Sequence, residues 1–536
     1  MLSPRTVSTG PHSAQLVTEN NVHARMRRCS PSECYNGGHM DSYQAWRAAV
    51  EGGPSGKPLS ALTTTTHEGL TIEPVVDASS SSALPSRFAA PRTGAVLRAR
   101  SAAPEGPALA WWEGSGGVPA SSTTTAIIES DEPPAAELMT LETIVIGLRQ
   151  AKGARLASKR ALDAAEAGGG VIVELASALL DLATALDRGA KPTSLAVALS
   201  IGGDFFVELA KLRAARVAIA GLLARTGHVE RALPIATRQT WRSLSGIDVA
   251  TNALRSSIAA TAGLIGGASY VALRPHDGAL LDRDAHPMAA RLAWTAGEVL
   301  TRESGLALID DAAQGAPLIE SLTHQIGDAA WSLARTALAG DVDALVARIE
   351  QDATARRAAF ATRRSVLVGT SRFLGDTEAA VERDRDAQPF ETLRKRGAGH
   401  VGLVLAVGDR KLEPRIAFAR EVLALAGLEV KVLPRVEDVP SAIAAFTPET
   451  AGPVVIVAVP DAALATDGVA LVRAAKDRSA AILIAGKPGE HDATLREAGA
   501  CAFVHQGADI LQQLGIALDS AALDAAAITS PIGGAS

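Results

Sequence analysis

His276 and Asp277 stand side by side in Pro275-His276-Asp277, just past the apolar run 270–274. An imidazole beside a carboxylate at a strand end is a pairing suited to acid–base chemistry. No third group completes such a site, and the pair reads as strand-end structure. Gly168-Gly169-Gly170 and Gly202-Gly203 resemble turns whose amides cradle phosphate. Neither completes a P-loop or a Gly-x-Gly-x-x-Gly pattern. Cys29 and Cys34 lie between His23 and His39, all metal-ligating types, but the spacing fits no standard zinc pattern. A disordered tail is the better reading there. His228 and His324 fall in helical or turn contexts and read as surface residues.

Composition narrows the classes further. A chain of 536 residues exceeds what one small core needs, so two domains and a tail are expected. Aromatic residues are only 3%, so the core rests on Ala, Leu, Val and Ile. The net charge of −6 argues against a nucleic-acid binder that relies on broad phosphate attraction. Three cysteines, Cys29, Cys34 and Cys501, are too few for a disulfide scaffold and suit a reducing cytoplasm. No apolar run reaches the roughly 20 residues that span a bilayer; the stretch 258–271 is broken by Gly263, Gly266 and Gly267. Residues 1–39 hold no apolar segment of a secretory signal and read as a disordered leader, with Met40 a candidate start.

The elements that must position these residues follow from patterning. Residues 40–83 read as an arm and a Ser-rich linker, with an amphipathic start at Tyr43-Gln44-Ala45-Trp46-Arg47. Residues 84–135 show weak periodicity and no firm elements. From about residue 126, short apolar runs alternate with helical stretches, the signature of βα units on a parallel sheet. Candidate strands are 125–128, 143–146, 171–174, 195–201, 233–237, 270–274 and 306–309, and the clearest helix is 205–224. Such a series suggests an eight-fold β/α barrel over residues 84–364, closing on a long helical segment at 329–364. A connector covers 365–399. Strands at 401–407, 429–433, 454–459, 481–484 and 502–504 then fit a flavodoxin-like doubly wound sheet over 400–520, before a tail at 521–536.

Several segments together resemble the methylmalonyl-CoA mutase family, and more closely its small, non-catalytic subunit. The segments are Tyr43-Gln44-Ala45-Trp46-Arg47-Ala48-Ala49-Val50, Phe206-Val207-Glu208-Leu209-Ala210-Lys211-Leu212-Arg213-Ala214-Ala215-Arg216, and the run from Asp248 to Asn252-Ala253-Leu254-Arg255. Gly266-Gly267-Ala268, Pro275-His276-Asp277 and Phe390-Glu391-Thr392-Leu393-Arg394 follow in order. The resemblance implies a barrel joined to a cobalamin-binding-type domain, and an arm that wraps a partner chain through Tyr43, Trp46 and Val50.

It also implies chemistry that this chain is not equipped to perform. Family members ligate cobalt through the histidine of Asp-x-His-x-x-Gly after the first strand of the last domain. Here the loop reads Gly408-Asp409-Arg410-Lys411-Leu412-Glu413-Pro414. Asp409 matches the aspartate, Lys411 takes the histidine position and Pro414 the glycine position. An ammonium has three donors and no acceptor, and proline lacks the N–H and freedom of glycine. His400, His491 and His505 lie before the first strand or after the fourth. Catalytic subunits also carry His-x-Gln-Thr-Ser-Gly at a barrel strand end; alignment places Ala236 at the histidine, with Arg238 left as a contact for phosphate, carboxylate or a protein interface. The family tyrosine has no counterpart among Tyr35, Tyr43 and Tyr270.

The favoured expectation is therefore the non-catalytic subunit of a cytoplasmic, heterodimeric cobalamin-dependent mutase. Adenosylcobalamin would be held by the partner, with no metal or cofactor on this chain and neither nucleic acid nor membrane as a partner. The alternatives are an active acyl-CoA mutase that binds cobalamin without a histidine ligand, and an acyl-CoA-binding or assembly factor.

Overall fold

The computed structural model describes residues 39–52, 58–76, 95–97, 110–113, 126–129, 155–156, 159–192, 195–228, 233–280, 287–306, 311–377, 380 and 383–523. Cys29, Cys34, His23, the strand expected at 143–146, most of that at 306–309 and the Ser-rich stretch lie outside them. The chain divides into two units, one of Met1–Thr64 with Glu73–Ser82 and one of Thr65–Ile72 with Ala83–Ser536. In the first unit, helix α1 spans His39–Glu51.

The second unit begins its sheets with β1 (Ala95–Leu97), β2 (Ala110–Glu113), β3 (Ala126–Glu129) and β4 (Arg155–Leu156). Helices α2 (Lys159–Glu166) and α3 (Val171–Asp187) follow. Next come β5 (Leu195–Ile201), α4 (Phe205–Arg225), β6 (Ile235–Gln239), α5 (Thr251–Ile265) and β7 (Tyr270–Ala272). These strands form a parallel sheet in the order β1-β7-β6-β5-β4, while β2 and β3 pair separately, also in parallel. The protein is a mixed α/β structure built on parallel sheets. Five strands, of which β1 pairs with β7, are what the described residues carry of the expected eight-stranded barrel.

The stretch 171–174, expected as a strand, is instead the first turn of α3. Val171-Ile172-Val173 imitates a strand because β-branched residues favour one. The apolar character continues through Leu182 and Ala185, and the helix is buried on nearly every side. Periodicity cannot separate a fully buried helix from a strand over so short a run. Helix α4 carries matched signals instead: the Asp204 side chain caps the Val207 amide, Glu208 lies in the first turn and Arg225 in the last.

Helix α6 spans Pro287–Glu298, α7 Pro317–Leu338 and α8 Asp343–Ala361. The single helical segment expected at 329–364 is thus two helices, broken where Gly340 takes φ +111° and Asp341 caps the Ala344 amide at 3.1 Å. Helices α3, α4, α5 and α7 cover one sheet face through Val197, Leu199, Ile201, Ile235 and Val271.

The last region opens with α9 (Gln388–Gly397) and continues through β8 (Val401–Ala406), α10 (Glu413–Leu425), β9 (Glu429–Val432), α11 (Val439–Ala445) and β10 (Val454–Ala458). It ends with α12 (Val469–Lys476), β11 (Ala481–Ala485), α13 (Asp492–Ala498), β12 (Ala502–Val504) and α14 (Ile510–Ser520). The order β9-β8-β10-β11-β12 is parallel throughout, the order of a flavodoxin-like sheet. Val404, Ala406 and Ile456 face one core and Leu403, Leu405 and Val455 the other, so both faces are covered. That explains why Val454–Ala458 and Ala481–Ala485 are apolar without alternation, whereas edge strand β9 carries exposed Glu429 and Lys431. Ile247, on the loop between β6 and α5, packs into the core beside Phe390 and Leu393.

Candidate functional site

The C-terminal ends of parallel strands are where β/α folds place their chemistry. At the ends of β5 and β6 lies a cavity of about 60 Å³, lined among others by Glu68, Glu174, Ser200, Glu208, Arg242 and Arg356. Fully buried Lys211 anchors one wall. Its ammonium lies 2.6 Å from Glu208 Oε2 and 2.9 Å from Glu174 Oε2, and donates to the Ser200 carbonyl at 2.8 Å. Burial alone would lower its pKa, but the two carboxylates hold it above its ordinary value. Burial raises that of Glu208 despite the ammonium.

Both glycine turns meet the chain's own carboxylates. The Gly202 amide donates to Glu208 Oε1 at 2.8 Å, the Gly170 amide to Asp352 Oδ2 at 3.0 Å and the Val171 amide to Glu68 Oε1 at 3.1 Å. The amides a phosphate would need are therefore engaged. Burial pushes Glu68 up to about 7 against its Val171 bond and Arg356. Burial and then Arg356 push neighbouring His67 down to about 4. Sequence reasoning missed this cluster, because Glu68, Asp352 and Arg356 come from segments far apart. The available signal was Glu208 and Lys211, opposite charges three residues apart in an otherwise apolar stretch of α4.

Ala236 sits in mid β6 at 0% exposure, in register with Ala198 and Tyr270. Thr237 beside it turns the other way, toward Gly263 of α5. At the end of the strand Arg238 approaches Glu166 at 3.4 Å, and Glu166 accepts the Trp241 amide at 3.2 Å. The Arg274 guanidinium lies 3.9 Å from the Trp241 ring centre and that of Arg383 4.5 Å. His276 and Asp277 occupy the turn after β7, where the His276 carbonyl accepts from Asn252 Nδ2 at 2.7 Å. Asn252 also pairs with both backbone groups of Ser245, and Arg255 reaches the Val368 carbonyl. Burial lowers Arg255 to about 10. His228 is exposed at the end of α4, and His324 lines a groove between α4 and α7.

The loop after β8 bears on the implied cofactor. Asp409 Oδ1 accepts the Lys411 amide at 2.9 Å, closing a tight turn, and the Asp409 and Lys411 side chains are exposed. Pro414 stands in the first turn of α10. Gly408 has φ +146°, and a Cβ there would lie 3.2 Å from Pro460 of the loop after β10. Arg435 donates to the Gly408 carbonyl at 2.6 Å, and Arg415 bonds Asp461 at 2.6 Å and borders Gly486 of the loop after β11. Arginines lace these loops together, and the loop after β8, Gly408–Leu412, offers no imidazole. The residues present do not fit cobalamin held through a histidine. His400 precedes β8, and His491 and His505 follow β11 and β12. Among the described residues, no group of three or more His, Cys, Asp or Glu is placed to hold a metal ion.

In the first unit, Tyr43, Trp46 and Val50 are half-buried on one side of α1, whereas Gln44, Ala45, Arg47, Ala48 and Ala49 are exposed. The Tyr43 and Trp46 rings stack with centres 5.9 Å apart.

Fold and site define an α/β protein of two parallel-sheet layers whose strand-end loops are filled by its own charged side chains. Residues 145–397 match the family model described as methylmalonyl-CoA mutase. A methylmalonyl-CoA mutase of Rhizobium meliloti is 31% identical over 238 residues, 40% of this chain and 33% of that protein. A protein of Streptomyces virginiae named methylmalonyl-CoA mutase small subunit is 30% identical over 278 residues, covering 45% of this chain and 44% of its own length. A small subunit of Porphyromonas gingivalis is 25% identical over 328 residues, 53% of each chain. The chain thus spans about a third to half the length of these relatives. Among the described residues, no helix is long and apolar enough to cross a membrane.

Proposed function

We propose that this chain is the non-catalytic subunit of a heterodimeric, cobalamin-dependent methylmalonyl-CoA mutase, working in the cytoplasm beside a catalytic partner that holds adenosylcobalamin. In this reading the sheet of β1, β4, β5, β6 and β7 belongs to a (β/α)8 barrel, and the last sheet is a cobalamin-binding-type domain that has lost its cofactor. The observation that carries the reading is the loop after β8. Lys411 stands at the cobalt-ligand position, its amide is tied to Asp409, and Arg435 and Arg415 brace the neighbouring loops. Buried Ala236 supports it, since a methyl group can neither hydrogen-bond a thioester carbonyl nor move a proton. Relatives named as small subunits support it too. The test is co-expression with a mutase chain that carries an intact Asp-x-His-x-x-Gly, followed by light scattering on the purified product. A one-to-one complex is expected; two chains that elute separately would refute the reading.

A further inference from the structure

The segment Thr65–Ile72 crosses the cavity at the ends of β5 and β6 and supplies part of its wall through Thr66, His67 and Glu68. It is a tight turn: the Thr66 amide donates to the Leu70 carbonyl at 2.9 Å, the Leu70 amide to Thr66 Oγ1 at 3.1 Å, and Gly69 takes φ +85°. Its attachments to the helices below are few and separate. Glu68 Oε1 accepts the Val171 amide at the start of α3, and Arg348 of α8 donates to the Glu68 carbonyl at 2.8 Å. Thr71 and Gln325 of α7 exchange two hydrogen bonds, at 2.9 and 3.0 Å. Leu70, 2% exposed, is its one fully buried apolar anchor. The fit is close at one point, where a Cβ on Gly170 would fall 2.5 Å from Glu68 Cγ.

A segment held by one apolar side chain and a handful of hydrogen bonds belongs to the class that opens locally, at a free energy well below global unfolding. Its carboxylate also carries internal tension. Glu68 and Asp352 meet at one helix start, with Glu208 and Glu174 across the cavity. The nearby basic groups are Arg348 and Arg356 of α8, Arg356 being shared with Asp386 at 2.6 Å, and His67, whose Nε2 lies 3.6 Å from Glu68 Oε1 and 3.4 Å from Arg356.

We propose that Thr65–Ile72 is a hinged strap, which seals the polar cavity at the ends of β5 and β6 and lifts from it while the helices beneath stay folded. With the strap lifted, the Val171 amide loses its carboxylate and the cavity opens on the side of Thr66, His67 and Glu68. The inference rests on this geometry alone and holds for a catalytic or a non-catalytic chain. The charged groups around Glu68 give it a pH signature. Burial holds Glu68 at about 7, above the ordinary carboxylate range, so its protonated form is the one the closed state favours. Closure is fully supported below that ordinary range and weakens as pH rises through about 7.

Hydrogen exchange on the full chain tests this, read as protection factors for peptides from Thr65–Ile72 and from α3 and α4. Gln325→Ala removes the α7 attachment from a half-buried position and leaves the charged cluster intact. It should lower strap protection by about tenfold or more while α3 and α4 remain as in the wild type. Wild-type strap protection should fall between about pH 6 and about pH 8, and Glu68→Gln should abolish that fall. If Glu68→Gln does not fold, the Gln325→Ala result decides alone. Strap protection unchanged in Gln325→Ala, or strap exchange only in step with α3 and α4, would overturn the proposal.

Discussion

Arg385 and Glu391 form a two-point ion pair, with both nitrogen–oxygen distances 2.7 Å, and Glu391 Oε1 also accepts the Gly246 amide at 2.8 Å. Both side chains are buried. The pair fastens the loop after β6 to the start of α9, where Ile247 enters the last core. Removing one partner of a buried pair leaves the other charge without compensation. Glu391→Ala should therefore cost about 3–5 kcal/mol in denaturant unfolding. A loss under about 1 kcal/mol, typical of a solvated pair, would show that the junction is not held this way.

The neighbours His67 and Glu68 should oppose each other in pH dependence. The folded pKa of Glu68, about 7, is raised, so its contribution is present at low pH and lost as pH rises through that value. The folded pKa of His67, about 4, is lowered, so its contribution is present above the ordinary histidine value and lost as pH falls toward 4. Over the interval they share, the two slopes cancel. Glu68→Gln should uncover the histidine: stability relative to wild type should rise from about pH 4.5 to about pH 6.5, by roughly 2 kcal/mol. Thermal melts at both pH values give the double difference, and a value near zero would contradict the assignment.

How much was legible beforehand varied with the distance between interacting residues. The five strands at 401–504 could be read because uninterrupted apolar runs such as Val454–Ala458 belong to sheets covered on both faces. The strand at Leu195–Ile201 was readable for the same reason, whereas the one expected at 233–237 lies at Ile235–Gln239, where Thr237, Arg238 and Gln239 interrupt the apolar run. The helix at Val171–Asp187 was misread because its first turn is β-branched. The ion cluster was hidden because Glu68 meets Val171 across 103 positions and Asp352 meets Gly170 across 182. Lys411 and Ala236 draw notice only against the family pattern that the sequence resembles, since neither residue type stands out locally.

The arm makes a separable claim. Tyr43 and Trp46 stack on one side of α1, and a short helix with an apolar stripe is marginal in water on its own. Trp46→Ala should weaken the proposed heterodimer by roughly 2 kcal/mol or more while the isolated chain melts nearly as before. A drop in the melting temperature of the isolated chain with normal pairing would make the arm an intramolecular brace instead.

Restoring the imidazole should not restore the cofactor site. In Lys411→His the side chain would still rise from a turn closed by Asp409, after a Gly408 whose carbonyl is held by Arg435. The variant should leave the absorption spectrum of added adenosylcobalamin unchanged. A spectrum of histidine-ligated cobalt would mean that Lys411 alone had emptied the site.

The central claim is that cobalamin belongs to the partner and not to this chain. Equilibrium dialysis against adenosylcobalamin, run on the chain alone and on its purified complex with a catalytic mutase subunit, tests it most directly. The account predicts no retention by the chain alone and one cobalamin for each pair of chains. Micromolar or tighter binding by the chain alone, with turnover of methylmalonyl-CoA, would contradict it.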